Sequence, residues 1–111
     1  MEGSRRKDQE LLDAAQKVRT LCRYGHASIS FSSRAVAALG RVGLEKVDVI
    51  ALLKSCTVIG REPGYVFPVY LAQGRTVDGK ICALAIAISE ESQRVRVFDV
   101  AFEPGRMDEG A

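Results

Sequence analysis

The chain has 111 residues, of which 47% are hydrophobic, and a formal net charge of +2 at pH 7. This length supports one hydrophobic core and excludes two, because single domains cluster near ~100–150 residues. Residues 11–102 hold 12 Lys and Arg against 8 Asp and Glu, a mild basic excess that permits an RNA or phosphate partner without requiring one.

The cysteines and the first residues favour a cytoplasmic protein. Cys22, Cys56 and Cys82 are an odd number without a CxxC pair, and each lies in an apolar stretch where a free thiol packs as a small hydrophobe. The N-terminus lacks the apolar stretch of a secretory signal, and no run reaches the ~18 apolar residues of a membrane span. We therefore expect a reducing cytoplasmic compartment and no membrane partner.

The chain opens with a polar stretch and then a helix. Residues 1–7 are polar with a short basic run, so we assign them to a flexible tail. From Asp8 to Tyr24 apolar residues recur every three or four positions, which predicts an amphipathic helix that Gly25 terminates.

Two more helices follow a short extended link. Residues 27–31 alternate between apolar and polar, and Ser32 and Ser33 then offer an N-cap for a short second helix. A third helix over residues 45–56 has so few polar positions that we expect it to be well buried.

In the second half of the chain the residue pattern changes from that of helices to that of strands. A β-branched run begins at Thr57, and a strand over 66–73 is joined by the turn residues Asp78-Gly79 to a second strand over 80–89. That second strand is apolar on both alternating faces, so we expect it to be central and covered on both sides. A final strand covers 94–102.

These elements predict one α+β domain over residues 8–103, followed by a flexible acidic tail at 104–111. Its N-terminal helices would pack on one face of a C-terminal antiparallel β-sheet of three or four strands.

The sequence carries no motif of a cofactor-dependent or triad enzyme. It has no GxGxxG, P-loop, nucleophile elbow or HExxH motif. A single histidine and three scattered cysteines do not form a recognisable metal site. We expect neither a metal nor a cofactor.

Bases in the strand-rich half are candidate binding residues. Period two places Arg94 and Arg96 on the same face of the last strand, where they would form a cradle for a phosphate. The alternative is that they only keep the outer face of the sheet hydrated and protect an edge from aggregation.

Three other side chains are candidates for catalysis. Tyr70 is a general acid or base, or a buried tyrosine that satisfies one hydrogen bond. His26 is a proton carrier near neutral pH, or a cap for the carbonyls of the first helix. Arg61 is a functional cation, or one half of an ordinary surface pair with Glu62.

Several short stretches resemble a known group of proteins. The run from Gly25 to Ala35, followed by residues 39–56, resembles the helical half of MqsR-type toxins and of a related uncharacterised bacterial family in which a histidine opens the domain. The later Pro68-Val69-Tyr70, Gly74-Arg75 and Asp78-Gly79-Lys80 are similar to the sheet of that uncharacterised family.

The resemblance implies a RelE-like fold and, for active members, a metal-independent endoribonuclease toxin that an antitoxin partner inhibits. In such enzymes sheet residues help an RNA 2′-hydroxyl attack the adjacent phosphate and stabilise the charge that develops. Transferred to this chain, the resemblance implies Arg61 and Tyr70 as catalytic residues, and we add His26. Four further bases are predicted to bind RNA: Arg75, Lys80, Arg94 and Arg96.

The chain departs from the MqsR pattern at two places. MqsR proteins have a catalytic tyrosine where this chain has apolar residues around Cys82, and a lysine where its last strand ends with Phe102 and Glu103. Two functions therefore stay open: an mRNA-cleaving toxin, and a non-catalytic module that retains the RelE-like fold and binds another protein through an exposed strand or helix face. A third is a small-ligand pocket over the alanines of strand 80–89, which equally let a helix approach closely.

Overall fold

The computed structural model describes residues 2–25, 27–62, 68–89 and 91–102, with side chains from Asp8 onward. Within these ranges the chain forms α1 (Glu2–Arg23), β1 (Ser28–Phe31), α2 (Ser33–Val42), α3 (Lys46–Leu53), β2 (Thr57–Glu62), β3 (Val69–Arg75), β4 (Ile81–Ser89) and β5 (Arg94–Phe102). The α+β class is confirmed. No helix of the described residues is long and apolar enough to cross a lipid bilayer.

Helix α1 begins at Glu2, earlier than the start at Asp8 that the apolar stripe indicated. Residues 2–7, assigned above to a tail, are therefore helical, and they contain no proline or glycine other than Gly3 to interrupt a helix. The apolar stripe of α1 is buried against the sheet, with Val18 fully inaccessible. The predicted tail at 104–111 lies outside the described residues.

Helix α2 begins at the predicted cap. The Ser32 hydroxyl oxygen accepts a hydrogen bond from the Ala35 amide at 3.1 Å and donates one to the Phe98 carbonyl at 3.0 Å. One side chain therefore both caps the helix and fastens it to β5. The helix ends at Gly43, whose φ of 73° is left-handed.

Helix α3 is shorter and less buried than its composition predicted. Val49, Leu52 and Leu53 are buried, but Val47 is 65% exposed, so only one side faces the core. Two arginines of α1 fasten the region after this helix: Arg23 donates to the carbonyl of the C-cap residue Lys54 at 2.7 Å, and Arg19 donates to the Cys56 carbonyl, just before β2, at 2.9 Å. The contact with Lys54 stabilises a carbonyl that the helix end leaves unpaired.

The strands form one five-stranded sheet in the order β1-β5-β4-β3-β2. The prediction of an antiparallel sheet is wrong at one edge, because β1 pairs with β5 in parallel and the sheet is therefore mixed. The extended link at 27–31 proved to be this edge strand. Its Ile29 and Phe31 pack on the core, and its backbone amides need acceptors that β5 supplies.

The helices share one face of the sheet. Val18 of α1, Ala38 of α2 and Leu53 of α3 belong to one buried cluster with Leu84 and Val97 from the central strands. Strand β4 is central, as predicted, but the described helices cover only this side of it. The alternate positions of β4 lie on the opposite face, which we call the open face: Ile81, Ala83, Ala85 and Ala87.

Candidate functional site

Arg61 and Tyr70 are neighbours in the sheet. They are direct cross-strand partners on β2 and β3, and the next residue across the sheet from Tyr70 is the fully buried Ile86. Directly opposed residues share a face, so the Arg61 and Tyr70 side chains lie on the helix-covered side. The structure therefore brings together two of the three residues that the sequence analysis proposed as catalytic.

A carboxylate from α1 joins them. The Oε1 atom of Glu10 accepts a hydrogen bond from Arg61 Nη1 at 2.6 Å and another from the Tyr70 hydroxyl at 3.2 Å. The side chains of Arg61 and Glu10 are 49% and 37% exposed, so solvent and a ligand can reach the pair. We call the three residues the Glu10 cluster.

The first turns of α1 place Glu10 there. This helix runs along β2, because its contacts pass from Arg61 back to Cys56 as α1 proceeds from Glu10 to Arg19. Ala14, one turn after Glu10, is buried between α1 and the sheet. The Glu10 side chain on the same side of the helix is therefore directed towards the sheet edge.

An open cleft of about 480 Å³ lies beside the cluster, between α1 and the ends of β3 and β4. Its volume is in the range of small-ligand sites. Its walls are formed by Gln9, Glu10, Asp13, Ala14, Lys17, Pro68, Tyr70 and Ile88.

The surroundings keep the phenol protonated. Burial raises the pKa of Tyr70 above its ordinary value, and the charge and hydrogen bond of Glu10 raise it further, against smaller opposing effects of Arg61 and Lys17. At neutral pH the phenol is therefore a proton donor.

The cluster thus combines three chemical capacities within hydrogen-bond distance. A carboxylate can accept a proton, a protonated phenol can donate one, and a guanidinium can stabilise a developing negative charge. In the described part of the chain, no three His, Cys, Asp or Glu side chains group together as a metal site.

Arg94 and Arg96 lie elsewhere, on the open face. Arg96 is opposite Ser30 of β1 and Ala87 of β4, and its Nη1 donates to the Ser30 hydroxyl at 3.2 Å. Its guanidinium carbon is 5.7 Å from the centre of the Phe98 ring. The predicted sharing of one face by the two arginines fits this register.

Arg75 and Lys80 lie at the other end of the sheet. Arg75 is opposite Ile81 at the start of β4, whereas Arg94 is opposite Ser89 at its end, about 26 Å away at ~3.3 Å per residue. Lys80 is 3.9 Å from the Asp78 carboxylate and 5.2 Å from the centre of the Phe102 ring. The four bases predicted to bind RNA therefore form two separate pairs.

The predicted catalytic residue His26 lies outside the described residues.

The sequence analysis did not identify Glu10 as a site residue. Glu10 stands on the flank of the apolar stripe of α1, four residues before Ala14, and Lys17 continues that flank. This spacing indicates that Glu10, Ala14 and Lys17 lie on the same side of the helix. Which strand that side would face depends on tertiary packing.

The chain was compared with protein-family models, with curated proteins and with solved structures, and none of the three comparisons found a match.

Proposed function

We propose that this chain is a toxin-like, metal-independent endoribonuclease that cleaves mRNA in the cytoplasm and is inhibited by an antitoxin partner. The observation that carries the proposal is the Glu10 cluster, in which a carboxylate, a phenol and a guanidinium converge beside an open cleft. The family resemblance stated above supports the same activity, since Arg61 and Tyr70 are the two residues it implied.

The cluster can supply each group that is needed for attack of an RNA 2′-hydroxyl on the adjacent phosphate. The Glu10 carboxylate takes the proton of a 2′-hydroxyl while that oxygen forms a bond to the adjacent phosphorus. Arg61 exchanges its Glu10 contact for the phosphate and stabilises the added negative charge. Tyr70 gives up its hydrogen bond to Glu10 and donates its proton to the departing 5′-oxygen as the phosphorus–oxygen bond breaks. The proton held by Glu10 then returns to the Tyr70 phenolate. The products are a 2′,3′-cyclic phosphate and a 5′-hydroxyl.

Cleavage of a single-stranded RNA by the purified full chain in the presence of EDTA tests this proposal. Arg61→Gln should slow cleavage about 100-fold or more, the effect of removing one group that stabilises transition-state charge. Arg41→Gln is the matched control, because Arg41 is exposed near the end of α2 and away from the cleft. A wild-type chain that leaves RNA intact, or equal rates for wild type and Arg61→Gln, would contradict the proposal.

The second candidate is a non-catalytic module that binds another protein. Two observations favour it: the Glu10 cluster also fastens α1 to the sheet, and β2 is an edge strand whose Ile59 is 50% exposed. An exposed edge strand can add a strand from a partner. If the chain is such a module, it does not cleave RNA and captures a partner protein from native lysate. Ile59→Lys should abolish this capture, and Arg61→Gln should leave it unchanged.

A further inference from the structure

A second cavity lies on the open face, where β4 and β5 meet at the turn between them. It measures about 420 Å³ and we call it the arginine groove. Its described lining residues supply two guanidinium groups and three hydroxyl groups, and no carboxylate is among them. The residues are Ser30, Ala87, Ile88, Ser89, Ser92, Arg94 and Arg96.

The polar groups of the groove are partly fixed in place. The Ser30 hydroxyl and the Phe98 ring orient the guanidinium of Arg96. Ser92 donates to the Ser89 hydroxyl at 2.6 Å. The side chain of Arg94 forms no hydrogen bond or ion pair with the described residues. Two positive charges therefore face the groove, and its described lining residues include no carboxylate, which suits a ligand with several negative charges.

The groove and the catalytic cleft meet at one residue. Ile88 lines both cavities, and it lies one pleat beyond Ile86, the cross-strand partner of Tyr70. The two cavities are therefore on opposite faces of the sheet and adjoin at the end of β4. A flexible chain that fills the cleft reaches the groove by passing around this end.

We propose that the arginine groove binds phosphate groups of single-stranded RNA that flank the bond cleaved at the Glu10 cluster. The inference rests on the proposed function for the position of that bond. Arg94 and Arg96 stand two residues apart on one face, about 6.8 Å along the strand. Guanidinium groups bind phosphate oxygens with two parallel hydrogen bonds, and hydroxyl groups add further donors. Continuity with the cleft favours RNA over an acidic peptide as the occupant.

Binding of an inert RNA tests the groove without requiring cleavage. The probe is a fluorescein-labelled 12-nucleotide RNA with 2′-O-methyl groups throughout, which has no 2′-hydroxyl to react. Its fluorescence anisotropy is measured with the full chain over a range of salt concentrations. Arg94→Gln/Arg96→Gln should weaken binding about tenfold or more and reduce the slope of log K against log salt by about 1.4, which is ~0.7 for each lost phosphate contact.

Two further variants separate a local effect from total charge. Arg34→Gln/Arg41→Gln removes the same charge from exposed positions of α2 and should keep most of the affinity. Arg94→Lys/Arg96→Lys keeps the charge but not the paired hydrogen bonds, so it should restore the salt slope and only part of the affinity.

The inference is overturned if Arg94→Gln/Arg96→Gln binds the probe as wild type does, or no more weakly than Arg34→Gln/Arg41→Gln. It is also overturned if the groove variant keeps RNA affinity and loses affinity for a poly-glutamate peptide, because the occupant is then a protein. If the groove variant loses RNA affinity and the wild type cleaves no RNA, the groove binds RNA and only the proposed catalytic function fails.

Discussion

Replacing Glu10 with Gln separates a catalytic carboxylate from a structural one. The amide keeps the shape of the side chain and an oxygen that accepts hydrogen bonds, but it has no charge and cannot take a proton. The Arg61–Glu10 pair is 49% and 37% exposed, so losing it should lower the free energy of unfolding by only about 0.2–1 kcal/mol. For a chain of this length that corresponds to a fall in melting temperature of at most about 5 °C.

The expected effect on cleavage is much larger. A general base contributes about 10²–10⁴ to a rate, or roughly 2.7–5.4 kcal/mol of barrier at 1.36 kcal/mol per tenfold change. Initial rates on a labelled single-stranded RNA, measured well below the melting temperature, give this effect directly.

Asp8→Asn is the matched control for Glu10→Gln. Asp8 is an exposed carboxylate on the same helix and is not among the described residues that line the cleft. It should keep both the cleavage rate and the melting temperature. A Glu10→Gln variant that cleaves at the wild-type rate refutes the role of Glu10, and one that loses activity only in proportion to its unfolded fraction refutes it equally.

Two predictions concern the core. A Cβ added at Gly74 would lie 3.1 Å from Leu52 Cδ2, so Gly74→Ala should lower the free energy of unfolding in urea by about 1–3 kcal/mol. Gly60→Ala is the control, because its added Cβ would lie 3.6 Å from the nearest atom and should cost clearly less. Equal losses would contradict this packing. Burial raises the pKa of both the Cys56 and the Cys82 thiols to about 11, so the folded chain keeps protons that the unfolded chain releases near pH 9. The free energy of unfolding should therefore fall as pH rises from about 9 to about 11, and a urea midpoint that rises over that range would contradict it.

Local sequence patterns predicted the three helices and the hairpin, although α1 begins six residues earlier than indicated and α3 is shorter. The stripe of α1, the Ser32 cap and the Asp78-Gly79 turn are local signals, and the structure places each where the spacing indicated. The parallel pairing of β1 with β5 was not predictable in this way. Four residues with alternating polarity show that a strand exists, but its direction is set by a partner 66 positions away, as with Ser28 and Arg94.

The candidate site was predictable only in part for a related reason. Period two is a local rule, and it correctly grouped Arg94 with Arg96. The family resemblance implied Arg61 and Tyr70 separately as site residues, and the register of β2 with β3 places the two side by side. Glu10 was missed because its role depends on how α1 lies across the sheet, which no spacing within the helix encodes.

The most direct test of the central claim is the chemistry of cleavage on a DNA strand that contains a single ribonucleotide. The full chain is incubated with this strand in EDTA, and the products are identified by mass spectrometry. The Glu10 cluster predicts one cut, 3′ to the ribonucleotide, that leaves a 2′,3′-cyclic phosphate and a 5′-hydroxyl and disappears with Glu10→Gln. An intact strand, a cut in the all-deoxy control, or a 5′-phosphate product would contradict it.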